Sequence, residues 1–412
     1  MAKIYHTHVW GSRQDKYRYL QEHDVTTVEW AELTPEAPFY LFIPQNKECK
    51  SEYEAGWKIT DIMPVHVYGF KTHRDHYAID FDLIALKSRI KELVNTFFTD
   101  NPNYPSKYKL GLWNYKNAAQ KLSSQEDYLE HLDVCAYRPF DNRFMFYSNS
   151  VMDRIRPELE RHIFKKDNIC LVCSRQISSR EYQHFFVTHL VPNDCLISNI
   201  TRESNHNFPL YLYPNTQNQQ GNLFIEKTPN FSSNFLTAIK NKLGYIPTPE
   251  AIFYYVYAIF HSPTYRQRYA EFLKIDFPRL PLTSNAQLFK DLGEKGQELV
   301  ELHLMKSKKL NKLITKVGGD GDNEVTKVTY NPKKQQVYIN KTRYFADIPP
   351  EIWEFKIGGY QVLNKWLKDR QKAKRSLSFD DVLHYQKIVI ALTETKKIMA
   401  EIDELIPIFP LT

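Results

Sequence analysis

The stretch from Tyr137 to Pro214 constrains the fold most, because it alternates apolar runs of strand length with polar turns. Two of these runs, Ile169–Cys173 and Phe185–Thr188, are bounded by turn residues and are short enough to be buried strands. The turns carry arginine, glutamine, asparagine and aromatic side chains. Loops that emerge from a packed sheet commonly carry binding residues. The pattern therefore predicts a mixed β-sheet that displays polar groups at its ends.

The second half of the chain has the spacing and the end signals of helices. Thr248–Glu250 combines a capping hydroxyl, a proline at the first helical position and an acid in the first turn. A long amphipathic helix is predicted from about Ala286 to Met305, and Ser378–Asp381 resembles a capping box that opens a further helix. Sheets followed by helices predict the α+β class, with mixed sheets in the first half and helices dominating the second.

Two segments outside the central stretch also have strand character. Residues 325–330 and 336–340 alternate around the turn Asn331–Lys334, which predicts a hairpin. Lys3–Trp10 alternates in the manner of a half-buried strand, and few candidate partner strands lie nearby in the sequence. A later segment or a separate domain is therefore expected to pair with it.

Charge and cysteine content narrow the class of protein. Lys and Arg total 55 against 48 acidic residues, and the net charge of +7 permits an acidic partner such as nucleic acid without demanding one. Five cysteines, an odd number, favour reduced thiols in the cytoplasm. The N terminus lacks a signal-peptide apolar region, and no apolar run has membrane-spanning length. The sequence predicts a soluble cytoplasmic protein without a membrane partner.

Polar residues of the central stretch are candidate DNA contacts, because forked side chains match base edges and cations neutralise phosphates. Arg175 and Gln176 directly follow an apolar strand, so they are predicted to read bases from a rigid support. Arg154 and Arg156 lie beside Pro157 and are predicted to grip phosphates. The full set of candidates is Arg138, Asp141, Arg143, Arg154, Arg156, Arg175, Gln176, Arg180, His184 and Arg202.

An ordinary structural role is the alternative for each of these residues. Arginines on protein surfaces commonly form ion pairs of little energetic weight. For Arg175 the local carboxylates are Glu181 and Asp194. If Arg175 pairs with one of them, its loss lowers the melting temperature and leaves any sequence preference unchanged.

The chain lacks the sequence signatures of adenine methyl transfer and metal-dependent DNA cleavage. The Pro-Pro pair within Ile348–Glu351 has neither the polar residue nor the aromatic that the methyltransferase turn requires. Asp347 with Glu354–Lys356 imitates a nuclease pattern loosely, but these acids are too close in sequence for separate strands of a nuclease core. Cys170 and Cys173 have metal-type spacing without a second pair, which favours small apolar residues in a buried strand. No catalytic, cofactor or metal site is predicted.

Motifs along nearly the whole chain resemble the specificity region of type ISP restriction-modification enzymes. They are Tyr137–Arg143, Arg175-Gln176, Phe186–Thr188, Pro209–Pro214, His261–Arg266, Phe272–Arg279, Trp353–Leu363 and Trp366-Leu367. Three N-terminal pieces resemble the section that joins the methyltransferase to its recognition domain, namely Trp10–Arg13, Gly56–Ile59 and Arg74-Asp75.

This resemblance implies four segments. Residues 1–82 correspond to the C-terminal edge of the methyltransferase domain and a connector, and residues 83–125 to a helical linker. Residues 126–345 correspond to the DNA target recognition domain, and residues 346–412 to the C-terminal helical part of the specificity region.

The resemblance also implies a function, which is to select the DNA sequence that an adenine methyltransferase modifies and a nuclease restricts in defence against phage. Full family members join nuclease, ATP-driven translocase, methyltransferase and recognition domains in one polypeptide. S-adenosylmethionine, ATP and Mg are therefore expected only in domains that this sequence lacks. The expected partners are double-stranded DNA and those domains, whether the chain is a truncated reading frame or a standalone subunit.

Two other functions stay open from the residues alone. One is an active or split-subunit adenine methyltransferase. The other is a protein–protein scaffold, in which the aromatic helices from 250 to 272 dock another subunit.

Overall fold

The computed structural model describes residues 2–37, 39–99, 101–178, 181–200, 202–214 and 226–411. The chain divides into two compact units, Met1–Ser51 and Glu52–Thr412. The second unit contains the central stretch and all the helices predicted after it.

The longest helices lie in the second half of the chain. In chain order the helices are α1 (Arg13–Glu22), α2 (Lys50–Glu54), α3 (Ile59–Ile62), α4 (Asp75–Ala78), α5 (Leu83–Asn95), α6 (Tyr104–Tyr108), α7 (Tyr115–Ser123), α8 (Pro157–Ile163), α9 (Ser233–Leu243), α10 (Pro249–His261), α11 (Pro263–Arg268), α12 (Ala270–Leu273), α13 (Ala286–His303), α14 (Pro350–Trp353), α15 (Val362–Lys372) and α16 (Phe379–Leu405).

The strands are short and concentrate in the middle of the chain. They are β1 (Ile4–His6), β2 (Ala31–Leu33), β3 (Trp57–Lys58), β4 (Val67–Tyr68), β5 (Ile79–Asp80), β6 (Leu132–Arg138), β7 (Asp141–Phe146), β8 (Cys170–Ser174), β9 (Phe185–Thr188), β10 (Val191–Pro192), β11 (Asn205–Pro209), β12 (Tyr211–Leu212), β13 (Thr228–Pro229), β14 (Arg279–Leu280), β15 (Lys316–Gly318), β16 (Thr329–Asn331), β17 (Gln336–Tyr338), β18 (Tyr344–Ala346), β19 (Lys356–Ile357) and β20 (Tyr360–Gln361).

The described residues of the first unit contain one strand pair and the helix α1. Its N-terminal strand β1 pairs antiparallel with β2, with Ile4 opposite Leu33. The predicted strand therefore exists, and a later segment of the chain supplies its partner, which was one of the two expected sources. Helix α1 begins at a capping box, because Ser12 Oγ accepts from the Asp15 amide at 3.2 Å and the Asp15 carboxylate accepts from the Ser12 amide at 3.0 Å.

The first of the two central sheets has the strand order β10-β6-β7-β5. Strands β6 and β7 form a hairpin whose register shifts between Ala136 and Arg138. Phe140 takes the left-handed φ of 58° at the turn. Strand β5 pairs with β7, with Ile79 opposite Met145, so a piece of the N-terminal 82 residues lies in the same sheet as the central stretch.

The second central sheet has the strand order β4-β11-β8-β9, with antiparallel neighbours throughout. Every residue of β8 and β11 is buried. Cys170 and Cys173 lie in β8, and burial raises the pKa of both thiols. The prediction that they are small apolar residues of a buried strand is confirmed. Phe185 of β9 stacks on Phe260 of α10 with ring centroids 4.5 Å apart, and burying such a ring contributes about 2 kcal/mol.

Helices α10 and α13 pack closely at a glycine. A Cβ on Gly296 would lie 1.9 Å from the Tyr254 carbonyl oxygen, so only glycine allows this approach. Tyr255 and Tyr257 of α10 are fully buried, and the Tyr255 hydroxyl donates to the Pro281 carbonyl at 2.9 Å. These rings belong to the core, which argues against the scaffold hypothesis for them.

The C-terminal part contains a third sheet, in the order β15-β18-β17-β16. The predicted hairpin is confirmed in β16 and β17, with Tyr330 opposite Val337. The capping box at Ser378 and Asp381 opens the 27-residue helix α16, also as predicted. Small sheets followed by long helices confirm the α+β class. In the described part of the chain, no helix combines the length and apolarity required to cross a bilayer.

Candidate nucleic-acid interface

A groove opens at one edge of the second central sheet. Antiparallel pairing brings the end of β8, the start of β11 and the end of β4 to this edge, with Ser174 opposite Asn205 and His206 opposite Tyr68. The groove has a volume of about 410 Å³. The described side chains around it are mainly polar or charged, and they are Tyr68, Lys71, Arg154, Arg156, Arg175, Gln176, Asp194, Arg202, Ser204 and His206.

Positive charge dominates the groove. Four of the described lining residues are arginine and a fifth is Lys71, whereas Asp194 is the one acid among them. The Lys71 ammonium lies 3.1 Å from the Asp194 carboxylate, so these two charges offset each other. A concave surface lined by one sign of charge focuses the electric field and attracts the opposite charge. The groove is therefore suited to a polyanion.

Arg175 and Gln176 project from the end of the buried strand β8, and both are exposed. Arg175 Nε donates to Asp276 Oδ1 at 2.8 Å, and 49% of the Arg175 side chain is exposed. The carboxylate that contacts Arg175 is therefore Asp276, which is far away in sequence, and not one of the local acids Glu181 and Asp194 considered above. Although burial opposes ionisation of Asp276, hydrogen bonds from Lys58 and Arg175 hold the pKa of Asp276 below its usual value. The ion pair orients the guanidinium at the mouth of the groove.

Arg154 is held by its backbone while its side chain extends into solvent. The Arg154 and Lys71 main chains exchange two hydrogen bonds of 2.9 Å each. The Arg154 side chain is 63% exposed, and its Nε lies 3.5 Å from the Asp153 carboxylate. A side chain with a fixed base and an exposed tip suits a phosphate contact, which positions the protein without requiring the exact geometry of a base contact.

Arg156 is more firmly placed than Arg154. Its Nε donates to the Gly69 carbonyl at 3.1 Å, and its backbone amide donates to the Tyr147 hydroxyl at 3.0 Å. Gly69 itself is pressed against a neighbouring segment, since a Cβ there would lie 2.5 Å from the Asn193 carbonyl carbon. Arg202 is the fourth arginine of the described groove lining and has a left-handed φ of 74°.

Three predicted contacts lie inside the fold. Asp141 accepts from Arg143 Nη2 at 2.7 Å and from Arg370 Nη2 at 3.0 Å, and its side chain is 1% exposed. Although burial opposes ionisation, these two guanidinium groups hold the pKa of Asp141 below its usual value. Arg138 is buried, stacks over the Tyr137 ring at 3.9 Å and donates to Asn193 Oδ1 at 2.9 Å. Arg138, Asp141 and Arg143 join elements of the protein, so we leave them out of the candidate interface.

His184 is also buried, at 0% exposure. Its Nε2 donates to Glu203 Oε2 at 2.9 Å, and Ser198 Oγ donates to the same carboxylate oxygen at 2.7 Å. Burial opposes ionisation of Glu203, but these hydrogen bonds lower the pKa of Glu203 to about 2. His184 is therefore outside the candidate interface. Arg180 lies outside the described residues.

Five lining residues were not predicted as contacts from the sequence: Tyr68, Lys71, Asp194, Ser204 and His206. Tyr68 and Lys71 belong to the segment that was assigned to a methyltransferase edge and connector. Its strand β4 pairs with β11, which follows it by more than a hundred residues in the chain. The alternation of apolar and aromatic residues at 65–68 was a weak strand signal, but no local pattern shows which strand it joins.

The described residues offer no obvious metal centre, because they contain no group of three or more His, Cys, Asp or Glu side chains arranged to hold an ion. The described lining of the groove has one acid, Asp194, which pairs with Lys71. Its donors therefore favour an anion over a metal ion.

Comparison with known proteins adds a family. A family model described as the Type ISP C-terminal specificity domain matches residues 61–401. A comparison with curated proteins finds no match.

Solved structures resemble the chain over nearly its full length. One is a nuclease-deletion mutant of the Type ISP restriction-modification enzyme LlaGI in complex with a DNA substrate mimic, with 18% identity, a TM-score of 0.72, and coverage of 97% of this chain and 38% of that one. A second is a DrdV–DNA complex, with 18% identity, a TM-score of 0.74, and coverage of 94% of this chain and 42% of that one. A third is the ATP-dependent Type ISP restriction-modification enzyme LlaBIII bound to DNA, with 19% identity, a TM-score of 0.71, and coverage of 93% of this chain and 26% of that one.

The chain therefore spans less than half the length of each of these three proteins. Their identities are low, so the likeness establishes the fold alone. The family match covers most of the chain and carries the classification. The chain belongs to the family of type ISP C-terminal specificity domains.

Proposed function

We propose that this chain is the DNA recognition module of a type ISP restriction-modification system. The observation that carries the proposal is the groove, in which four arginines and a lysine surround one open space with a single acid among the described lining residues. Membership of the specificity-domain family supports the same function. The three similar structures were each solved with DNA or a DNA mimic. In this proposal the ligand of the groove is double-stranded DNA.

The groove residues divide into two kinds of contact. Arg154 has a long exposed side chain near the rim, and we assign it to the phosphate backbone. Arg175 and Gln176 follow a fully buried strand, so their backbone moves little. A forked side chain on a rigid support can hold the geometry that a bidentate bond to guanine or adenine requires. We assign these two residues to base recognition.

Salt dependence tests the phosphate contacts. If the groove neutralises about four phosphates, affinity for duplex DNA falls roughly a hundredfold between about 50 and 200 mM salt, because condensed counterions are released on binding. Fluorescence anisotropy of a labelled duplex measures this slope. Lys334→Ala is the control and should leave the salt slope of the wild-type chain unchanged, since Lys334 is an exposed cation of the β16–β17 turn outside the groove lining. Absence of binding at the lowest salt would contradict the proposal.

Selection of bound duplexes from a random pool tests base recognition. We expect enrichment of a defined sequence by the wild-type chain and loss of enrichment at particular positions in Arg175→Ala and Gln176→Ala. Binding without any enrichment would reduce the groove to a DNA-holding surface and would contradict its role in sequence selection.

The proposal assigns the chemistry to other domains or subunits. The similar proteins are more than twice as long as the part that this chain matches. Adenine methylation and restriction, with S-adenosylmethionine, ATP and Mg, would be performed by those parts in the cytoplasm. We expect the purified chain to transfer no methyl group from radiolabelled S-adenosylmethionine to DNA. A signal above a boiled control would favour the alternative of an active methyltransferase.

The first unit is our proposed attachment to those parts. Among its described residues none is buried, and large apolar side chains are exposed, including Trp10 at 75%, Val25 at 74% and Leu20 at 64%. Exposed apolar surface of this extent is typical of an interface. We expect a separately produced type ISP methyltransferase domain to bind the chain, and Trp10→Ser to weaken that binding. Ile246→Ser is the control, because Ile246 is exposed in the second unit. Equal binding by both variants would contradict this assignment.

A further inference from the structure

Two histidines meet at the wall of the groove. His206 lines the groove, and its Nδ1 lies 3.1 Å from Nδ1 of His66. We propose that His206 determines specificity at one DNA position through its Nε2 atom, and that His66 is a positioning residue that sets whether this atom donates or accepts. The inference rests on the proposed DNA function of the groove and adds an uncharged side chain to the residues that recognise bases.

The pair is held rigidly. His206 lies in β11, an inner strand of the second central sheet, and is 6% exposed. Its ring centroid is 4.1 Å from that of Tyr68 and 4.8 Å from that of Phe277. His66 stacks on Phe208 with centroids 4.8 Å apart. Rings packed in this way meet the positional demand of a specific hydrogen bond.

The short distance couples the protonation patterns of the two rings. A neutral imidazole has one N–H donor and one acceptor nitrogen, so one Nδ1 of the pair must donate to the other. If His66 donates, the proton of His206 is on Nε2, which then donates to a ligand. If His206 donates through Nδ1, its Nε2 accepts. Among the described residues, Nε2 of His206 has no hydrogen-bond partner, which leaves this atom for the groove.

Both rings are uncharged at neutral pH. Burial lowers the pKa of His206 to about 3, assisted by the neighbouring His66 ring and by the positive charge of Arg175. Burial, with a smaller contribution from Lys58, also lowers the pKa of His66. A neutral ring gives up no counterions when it meets DNA, so it adds little to general affinity. Its contribution is a directional hydrogen bond.

Such a bond distinguishes bases in either form. In the major groove both purines present an N7 acceptor, whereas adenine and cytosine present amine donors. Guanine O6 and thymine O4 accept there as well. A donating Nε2 therefore discriminates against cytosine, which presents no major-groove acceptor, and an accepting Nε2 selects adenine or cytosine. Each form restricts one position of the target and leaves the other positions unaffected.

Duplex selection with the full chain tests the proposal. We expect His206→Ala to reduce the preference at one position roughly tenfold and to leave affinity for non-specific duplex and its salt dependence unchanged. His66→Phe keeps His206 but removes its proton partner, so it should weaken the preference at the same position by a smaller factor. Nitrogen-15 NMR of the imidazoles should show a changed tautomer balance of His206 in that variant. If His206→Ala fails to fold, His206→Gln and His66→Phe provide the measurement.

A buried histidine away from the groove lining is the matched control. His162 is 2% exposed, and its Nδ1 accepts from the Tyr213 amide at 3.0 Å. We expect His162→Ala to lower the melting temperature without altering the preference at any position. The proposal is overturned if the His66 and His206 variants behave in the same way as this control. A wild-type chain without sequence preference would instead overturn the proposed function itself.

Discussion

Two sets of arginines from this chain have opposite surroundings. In the buried set, Arg143 and Arg370 both contact Asp141, whose side chain is 1% exposed. In the groove set, the side chain of Arg154 is 63% exposed and that of Arg175 is 49% exposed. The two sets share the same chemistry and part of the same sequence stretch. What separates them is the number of carboxylates that the fold brings to each guanidinium and the water that it excludes.

The difference determines what each set contributes. Removing one partner of a buried ion network leaves an uncompensated charge and is strongly destabilising. Exposed pairs contribute little to stability because water and salt screen them. An exposed arginine is, however, available to a ligand. Stability and binding should therefore separate cleanly between the two sets, and the following substitutions measure that separation.

The largest expected effect is on stability, from Asp141→Ala. The substitution removes the carboxylate that Arg143 and Arg370 share, while Arg143 keeps the Asp369 carboxylate at 3.1 Å. We expect the free energy of unfolding to fall by about 3 kcal/mol. Urea denaturation measures the change. Asp153→Ala is the control, since its half-exposed carboxylate should be worth less than about 0.5 kcal/mol. A stable Asp141→Ala protein that no longer binds DNA would place the buried set in the interface. It would contradict the assignment of that set to stability alone.

A second buried pair should make stability depend on pH. The pKa of Glu203 falls from its ordinary 4.5 to about 2 in the folded protein. A lowered carboxyl pKa contributes stability that is complete above about pH 4.5 and is lost as the pH falls toward 2. We expect Glu203→Gln to cost about 2 kcal/mol at pH 7, because a charged hydrogen bond to His184 is lost.

Thermal melting of both proteins across pH 3 to 7 provides the test. The gap between wild type and Glu203→Gln should narrow as the pH falls below about 4.5. A gap that stays constant down to pH 3 would show that the carboxylate charge is not the cause.

Arg175→Ala should lower affinity for the preferred DNA site by about 1–3 kcal/mol and affinity for other sequences much less. Gln176→Ala is expected to act in the same way. The unfolding free energy should change little, since the bond of Arg175 to Asp276 is half exposed. Binding and melting are to be measured on the same preparations. A lower melting temperature with unchanged sequence preference would move Arg175 into the structural set.

The smallest expected effect belongs to Arg154→Ala. Loss of one phosphate contact should weaken binding to all duplexes about equally and reduce the salt slope by about one. Anisotropy titrations at several salt concentrations measure both quantities. A loss confined to one sequence would transfer Arg154 to base recognition and remove the proposed division of roles.

The sequence predicts those features that depend on neighbouring residues. The capping box at Ser378 and the turn at Asn331–Lys334 are local, and both are found where expected. Arg175 and Gln176 were located correctly at a strand end because the apolar run before them is continuous. The family resemblance, spread over many motifs, is confirmed by the family match over residues 61–401.

Burial of polar residues is harder to predict, since it depends on partners far away in the chain. The residues next to Asp141 in sequence give no sign that Asp141 will pair with Arg370, which is 229 residues away. His184 likewise resembles a loop histidine until Glu203 is brought to it by the fold. The same limit hides contributions to the groove, because Tyr68 of β4 and His206 of β11 are brought together by pairing between strands more than a hundred residues apart.

The tight contact at Gly69 has a consequence for engineering new specificities. Its carbonyl holds Arg156, and the space for a side chain is already occupied by the Asn193 backbone. A loop transplanted from a relative would have to reproduce that backbone junction to within a fraction of an ångström. Exchange of single side chains at the sheet edge leaves the junction intact. We expect retargeting by point substitution at positions such as 175 and 176 to succeed where grafting of whole loops yields misfolded protein.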